Sequence, residues 1–274
     1  MNSNQGTTSR IARILTIGIS DTPSGRLFLR RTIGLLIRIV LRLRSRSLPD
    51  VSAGSAIVVA PHPDDESFGC GGILALMAQR QANPSLVFLT DGSASHPNHP
   101  TVSNIDIARR RRDEARTALG ILGVQWERVT FLDIRDGTLS HLDAESIRIL
   151  EARITALFVE TKPTSLFLPC RRDGSAEHEA AHLRVTRALM QSGLKARVFE
   201  YPIWSWWNPT LLLGPMLTCR RIWRSNCKAV LDIKARALAS YSSQTLPIAP
   251  ESNPALPNGF APMFLHGEEY FFEW

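Results

Sequence analysis

From residue 55 onward, short β-branched runs alternate with helical stretches. The runs are Ser55–Ala60 (SAIVVA), Leu86–Thr90 (LVFLT), Val129–Leu132, Ser165–Pro169 and Val198–Tyr201. Each is a brief, nearly continuous apolar segment, the pattern of a strand buried on both faces. Helical patterns are predicted between them: through about Gln81, over Ile105–Leu122, over Ala144–Glu160, and through about Gln191. Strands alternating with helices argue for an α/β fold, a mostly parallel sheet with helices on both faces. In such sheets ligands bind outside the carboxyl ends of the strands. Two polar loops follow strands at that end, one at Pro61–Glu66 (PHPDDE) and one at Arg171–Glu177, so they are expected to meet there.

At 274 residues with 44% hydrophobic and 21% charged side chains, the chain can bury a sizeable core without disulfides. Cys70, Cys170, Cys219 and Cys227 form no CxxC pair, which leaves zinc-ribbon and thioredoxin readings without support. A reducing, cytoplasmic location is the simpler expectation. The net charge of +7 is uneven: residues 1–50 hold nine Arg against Asp21 and Asp50, which accounts for all of it. A basic nucleic-acid-binding surface across the domain is therefore not implied.

The chain accordingly divides into a basic segment, residues 1–50, and a domain, residues 51–274. Residues 1–9 are polar and expected to be disordered. Residues 27–45 (LFLRRTIGLLIRIVLRLRS) are apolar but interrupted by Arg30, Arg31, Arg38, Arg42 and Arg44, too often for a membrane span. A basic helix remains, with two readings. It packs on the domain with its Arg heads in solvent, or residues 26–46 lie on an anionic membrane as a peripheral contact.

The first polar loop places His62, Asp64, Asp65 and Glu66 within five residues after a strand, where burial is costly without partners. Imidazole and carboxylate are suitable zinc ligands. Two adjacent carboxylates permit a division of labour: one on a metal, one taking a proton from water. The second loop leads to His178 and His182, which share a helix face at i and i+4. His62, one aspartate and one of these histidines would supply the three protein ligands of a catalytic zinc.

Ala60–Gly72 (APHPDDESFGCGG) resembles the signature of the PIG-L/LmbE-like N-acetylglucosaminyl deacetylases. The likeness continues through LTDGSASHP (Leu89–Pro97), Arg111/Glu114, RRDGSAEHEAA (Arg171–Ala181), EYPIW (Glu200–Trp204) and KARALASYSSQ (Lys234–Gln244). The resemblance implies a Rossmann-like fold and a zinc ion on His62, Asp65 and His178, with His182 the second choice for the third ligand. Fe²⁺, Co²⁺ or Mn²⁺ would suit the same donors. It implies that Asp64 is the general base for removal of an N-acyl group from an amino-sugar conjugate.

One position departs from the family's HPDH motif. Ser175 stands where the first histidine, which assists the oxyanion, is expected, and Glu177 replaces the aspartate. A serine hydroxyl donates a hydrogen bond but carries no charge, and an oxyanion donor contributes ~3 kcal/mol. His182 or Arg172 are candidate substitutes. The alternative function is a catalytically weak carbohydrate-binding or scaffold protein that keeps the metal site. Arg111 matches a family position near the sugar, and Asp91 follows a strand; both are expected to bind substrate. Glu66 is expected to orient the loop, His96 and His99 to be surface loop residues, and the cluster Trp204, Trp206 and Trp207 to form a core or subunit contact.

Overall fold

The computed structural model describes residues 23–274; the expectation for residues 1–9 lies outside them. Its elements are α1 (Pro23–Arg44), β1 (Arg46–Ser47), β2 (Ala56–Ala60), α2 (Asp65–Gln79), β3 (Ser85–Thr90), α3 (Asn104–Leu122) and β4 (Val129–Ile134). Then come α4 (Ala144–Thr161), β5 (Ser165–Pro169), α5 (Ala176–Ser192), β6 (Arg197–Tyr201) and the short α6 (Trp204–Trp207) and α7 (Leu213–Thr218). Last are β7 (Arg221–Asn226), α8 (Leu231–Ala239), α9 (Ser242–Thr245) and β8 (Glu268–Glu273).

The strands form one eight-stranded sheet in the order β1-β7-β8-β6-β5-β2-β3-β4. Every pairing is parallel except those of β8, which runs antiparallel to β6 and β7. The fold is the expected α/β one, and the five strands read from the sequence form a contiguous run, β6-β5-β2-β3-β4, that reaches one edge of the sheet. Three strands went unread. β1 is two residues long, and β7 (RIWRSN) and β8 (EEYFFE) carry charges where an unbroken apolar run was sought. Those charges are partnered within the sheet: Arg224 reaches Glu268 at 3.1 Å.

β2, β3 and β5 are buried along their whole length. Their side chains enter two cores on opposite faces. Val58, Ala60 and Phe88 join one with α2, α3 and α8; Ile57, Val59, Val87 and Leu166 join the other with α4 and α5. The chain moves outward from β2 to β3 and β4 on one side and to β5 and β6 on the other. The loops after β2 and β5 therefore part at a switch point, the place where open α/β sheets hold ligands.

Gly69, Gly71 and Gly72 of the first motif lie within α2, since the helix already starts at Asp65. Close packing explains them. A Cβ at Gly69 would lie 2.3 Å from the Tyr201 ring, and one at Gly72 would lie 2.5 Å from Cys227 Sγ. Only helix backbone fits there, at a propensity cost of ~1 kcal/mol per glycine.

α1 is fastened to the domain. Ile37 and Leu41 enter the larger core. Arg38 lies 3.8 Å over the Trp206 ring and donates to the Met263 carbonyl; Arg30 lies 4.3 Å over Trp207. Among the described residues no helix is long and apolar enough to cross a membrane.

Candidate metal centre

The loop from β2 into α2 is held taut. Thr90 N and Oγ1, at the end of neighbouring β3, both donate to the Pro61 carbonyl at 2.9 Å. Asp64 takes a φ of 137°, a region that a non-glycine residue occupies at ~1–3 kcal/mol and that concentrates at functional sites. Its surroundings fix it there. Asp64 N donates to Glu66 Oε2 at 3.0 Å, and Glu66 Oε1 accepts from Tyr241 and Ser67 hydroxyls. Glu66 thus orients the loop from a fully buried position.

Three side chains converge beside Asp64. Asp65 Oδ2 lies 3.1 Å from His62 Nδ1 and 3.3 Å from His178 Nε2, and the three residues offer ligand atoms within 4.8 Å of one another. His178 Nε2 is buried without a hydrogen-bond partner. Its other nitrogen is 2.8 Å from Asp173 Oδ2. Asp173 in turn accepts from the backbone N–H groups of Ile203, Trp204 and Ser205 and from the Ser205 hydroxyl. A carboxylate on one imidazole nitrogen aims the other at a metal and fixes its tautomer. A buried, unpartnered nitrogen facing a carboxylate and a second imidazole fits a divalent cation. His62, Asp65 and His178 could hold one.

At these residues burial and neighbouring charges oppose each other. Burial works to raise Asp65, but the His178 and His62 rings outweigh it and hold its carboxyl well below the usual range. Burial works against protonating His178, yet Asp65 and Asp173 lift its pKa to about 9. A cation would take over the charge that this proton carries. Asp64 is different. Burial pushes it up to about 7 although Arg111 Nη2 stands 3.1 Å from its Oδ1. Desolvation outweighs the ion pair, so Asp64 sits where a proton is readily gained or lost near neutrality.

His62, Asp64 and Asp65 line a cavity of about 460 Å³. Its polar end carries His62, Asp64, Asp65, Arg111, Asp136 and Glu177; its apolar wall is Phe68, Ile203, Trp204, Leu256 and Phe260. Arg111 lines it while donating to the Pro63 and Gly92 carbonyls. Ser175 also lines it, as the N-cap of α5, accepting from His178 N at 3.5 Å. His182 is buried but turned to Glu200, with Nε2 2.8 Å from Oε1. Arg172 is exposed. Asp91 is not among the cavity-lining residues: its Oδ1 accepts from Ser93 N and Asp136 N, which ties the loop after β3 to the loop after β4.

The loop after β4 supplies what sequence reasoning missed. Asp136 Oδ1 lies 3.1 Å from His62 Nε2, and Glu177 Oε2 lies 2.7 Å from the same atom. Asp136 follows a strand, but RDG reads as an ordinary turn. Asp173 lies five residues before His178, a spacing that no helix periodicity flags. His96 corrects its expectation as a surface residue: it is buried, with Nδ1 2.6 Å from Glu251 Oε2 and Nε2 2.8 Å from the Ser243 carbonyl. The tryptophans divide. Trp204 faces the cavity, against Phe260 at 5.0 Å, while Trp206 and Trp207 receive the arginines of α1.

Comparison with known proteins places this arrangement. Residues 57–189 match the family model of PIG-L, GlcNAc-PI de-N-acetylase. The chain is 25% identical over 197 residues to a probable N-acetyl-alpha-D-glucosaminyl L-malate deacetylase of Bacillus cereus, covering 69% of this chain and 83% of that protein. It is 26% identical over 193 residues to the diacetylchitobiose deacetylase of Thermococcus kodakarensis, covering 69% of each. The fold is shared with the N,N'-diacetylchitobiose deacetylase of Pyrococcus horikoshii, at a TM-score of 0.56 and 18% identity, over 83% of this chain and 81% of that one. The matched segment contains His62, Asp64, Asp65 and His178, and over it the chain resembles the PIG-L family.

Proposed function

We propose that this protein is a metal-dependent hydrolase that removes an N-acetyl group from an amino-sugar conjugate, with zinc the first candidate ion. The observation that carries the reading is the buried, unpartnered His178 Nε2 facing Asp65 and His62, one residue from a carboxyl group tuned to about 7. The relatives named above, deacetylases of amino-sugar compounds, supply the substrate class.

His62, Asp65 and His178 would hold the ion. When bound, a divalent cation polarises an amide carbonyl and acidifies water. Asp64 is the base that takes a proton from the attacking water as the oxygen bonds to the carbonyl carbon. The protonated Asp64 then returns that proton to the sugar nitrogen as the C–N bond breaks, giving acetate and a free amine. Arg111 acts on the substrate through Asp64, whose carboxylate it holds against burial. Trp204 and Phe260 offer aromatic faces on which a sugar ring stacks.

The second reading arises at Ser175, which lines the same cavity as Asp64. Ser175 is the N-cap of α5, and no histidine stands at that position to stabilise an oxyanion. A sugar-binding protein that retains its metal site would share every other feature. Acetate release from N-acetylglucosamine conjugates, with and without chelator, decides between them. Chelator-sensitive turnover supports the hydrolase. Metal-loaded protein that binds such a conjugate without releasing acetate supports the binding protein.

A further inference from the structure

α1 contradicts the usual economy of a surface helix. Its inward side packs Ile37 and Leu41 into the core, which leaves its outer side free to be polar. Instead Phe28, Leu35, Leu36, Ile39, Val40 and Leu43 stand in solvent, from 40% exposed at Val40 to 80% at Leu43. At ~100° per residue the six fall within one stripe ~140° wide. Arg31 and Arg42 border the stripe on one flank and Arg44 on the other, and the helix contains no acidic residue. The patch continues past the helix. Arg44 donates to the Met216 carbonyl at 2.7 Å, and next to it Leu217 is 75% exposed. Arg44, Arg46, Arg220 and Arg221 line a common hollow beside it. A contiguous apolar stripe of this kind marks an interaction surface.

We propose that this stripe docks in the plane of an anionic lipid bilayer, apolar residues in the acyl boundary and arginines at the headgroups. Charge selects this occupant. An apolar ridge with basic flanks, on one of which Arg42 also meets Glu268 at 3.5 Å, is complementary to anionic lipid. A second copy is disfavoured, because a two-fold pairing of α1 with itself sets arginine flanks against each other. The helix is also fixed to the cavity wall. Leu27 approaches Gly259 next to Phe260, and Arg30 and Arg38 lie on Trp207 and Trp206, which follow Trp204. Docking therefore brings the apolar side of the cavity wall toward the lipid surface. The inference is independent of the hydrolase reading.

The test is co-sedimentation of the full chain with vesicles of phosphatidylcholine alone and with about 30% phosphatidylglycerol, at low and high salt. The expected result is binding at least ~10-fold tighter to the anionic vesicles, weakened by salt. The double variant Leu36→Asp/Leu43→Asp should lower it by ~10-fold or more with an unchanged thermal midpoint, since both side chains are already in solvent. Arg31→Ala/Arg42→Ala provides an independent variant that leaves the apolar stripe intact and should lose the preference for anionic lipid. The proposal is overturned if the wild type does not sediment with anionic vesicles, or if it binds both compositions equally. It is also overturned if both variants bind as the wild type does. A wild-type dimer in sedimentation velocity that the Leu36→Asp/Leu43→Asp change dissociates would identify the stripe as a self-interface and equally overturn it.

Discussion

His178 and His182 lie one turn apart on α5, both buried and both against a carboxylate, yet they belong to different chemistries. Asp173 occupies Nδ1 of His178, whose Nε2 has no hydrogen bond and faces His62 and Asp65, the latter at 3.3 Å. Glu200 occupies Nε2 of His182 and is itself saturated by Arg171, through its backbone N–H and its guanidinium. In the first pair the carboxylate orients a nitrogen toward Asp65 and His62, the set proposed to hold an ion. The second is a closed polar cluster bracing β6 against α5. Spacing makes the two histidines equivalent; hydrogen-bond satisfaction separates them.

Four substitutions would break or sharpen that contrast. His178→Ala should have the largest effect, lowering kcat/KM by ~10⁴-fold and abolishing retention of one metal equivalent, read by elemental analysis of the purified protein. Metal retained at wild-type affinity would remove His178 from the ligand set. Asp64→Asn should come next, with kcat down ~10³-fold but metal content intact. If metal and activity disappear together, Asp64 is a ligand and not the base. Asp173→Asn leaves a donor where His178 Nδ1 needs an acceptor. It should weaken metal affinity ~10–100-fold in a chelator competition, with kcat recovering at saturating metal. His182→Ala is the counterpart. It should leave metal affinity within ~5-fold, and cost ~1–3 kcal/mol in denaturant unfolding because buried Glu200 loses one partner. A metal loss from His182→Ala as large as that from His178→Ala would erase the distinction.

The same division between pattern and environment governs how much could be read in advance. The central strands announced themselves because burial on both faces demands unbroken apolar residues, as in SAIVVA and LVFLT. β7 and β8 did not. Their charged positions are neutralised by neighbours far away in sequence, such as Arg224 by Glu268 and Glu273 by Arg197. The glycines of α2 carry no local sign of their role, because their need for close backbone approach to Tyr201 and Cys227 exists only once those residues are packed. Asp136 looked like a turn residue for a similar reason: its partner His62 is on another strand's loop.

The sequence by itself determined the alternation of strands and helices, and hence the edge at which the polar loops gather. It also supplied His62, Asp64, Asp65 and His178, by resemblance to a motif. Only the tertiary structure decided which nitrogen stays unpartnered, that Arg111 and burial compete over Asp64, and that an arginine-rich helix is bound on one side and bare on the other. The physical reason is range. Periodicity is a local property that each segment carries with it, whereas hydrogen-bond satisfaction, desolvation and exposure depend on what the rest of the chain places within a few ångströms.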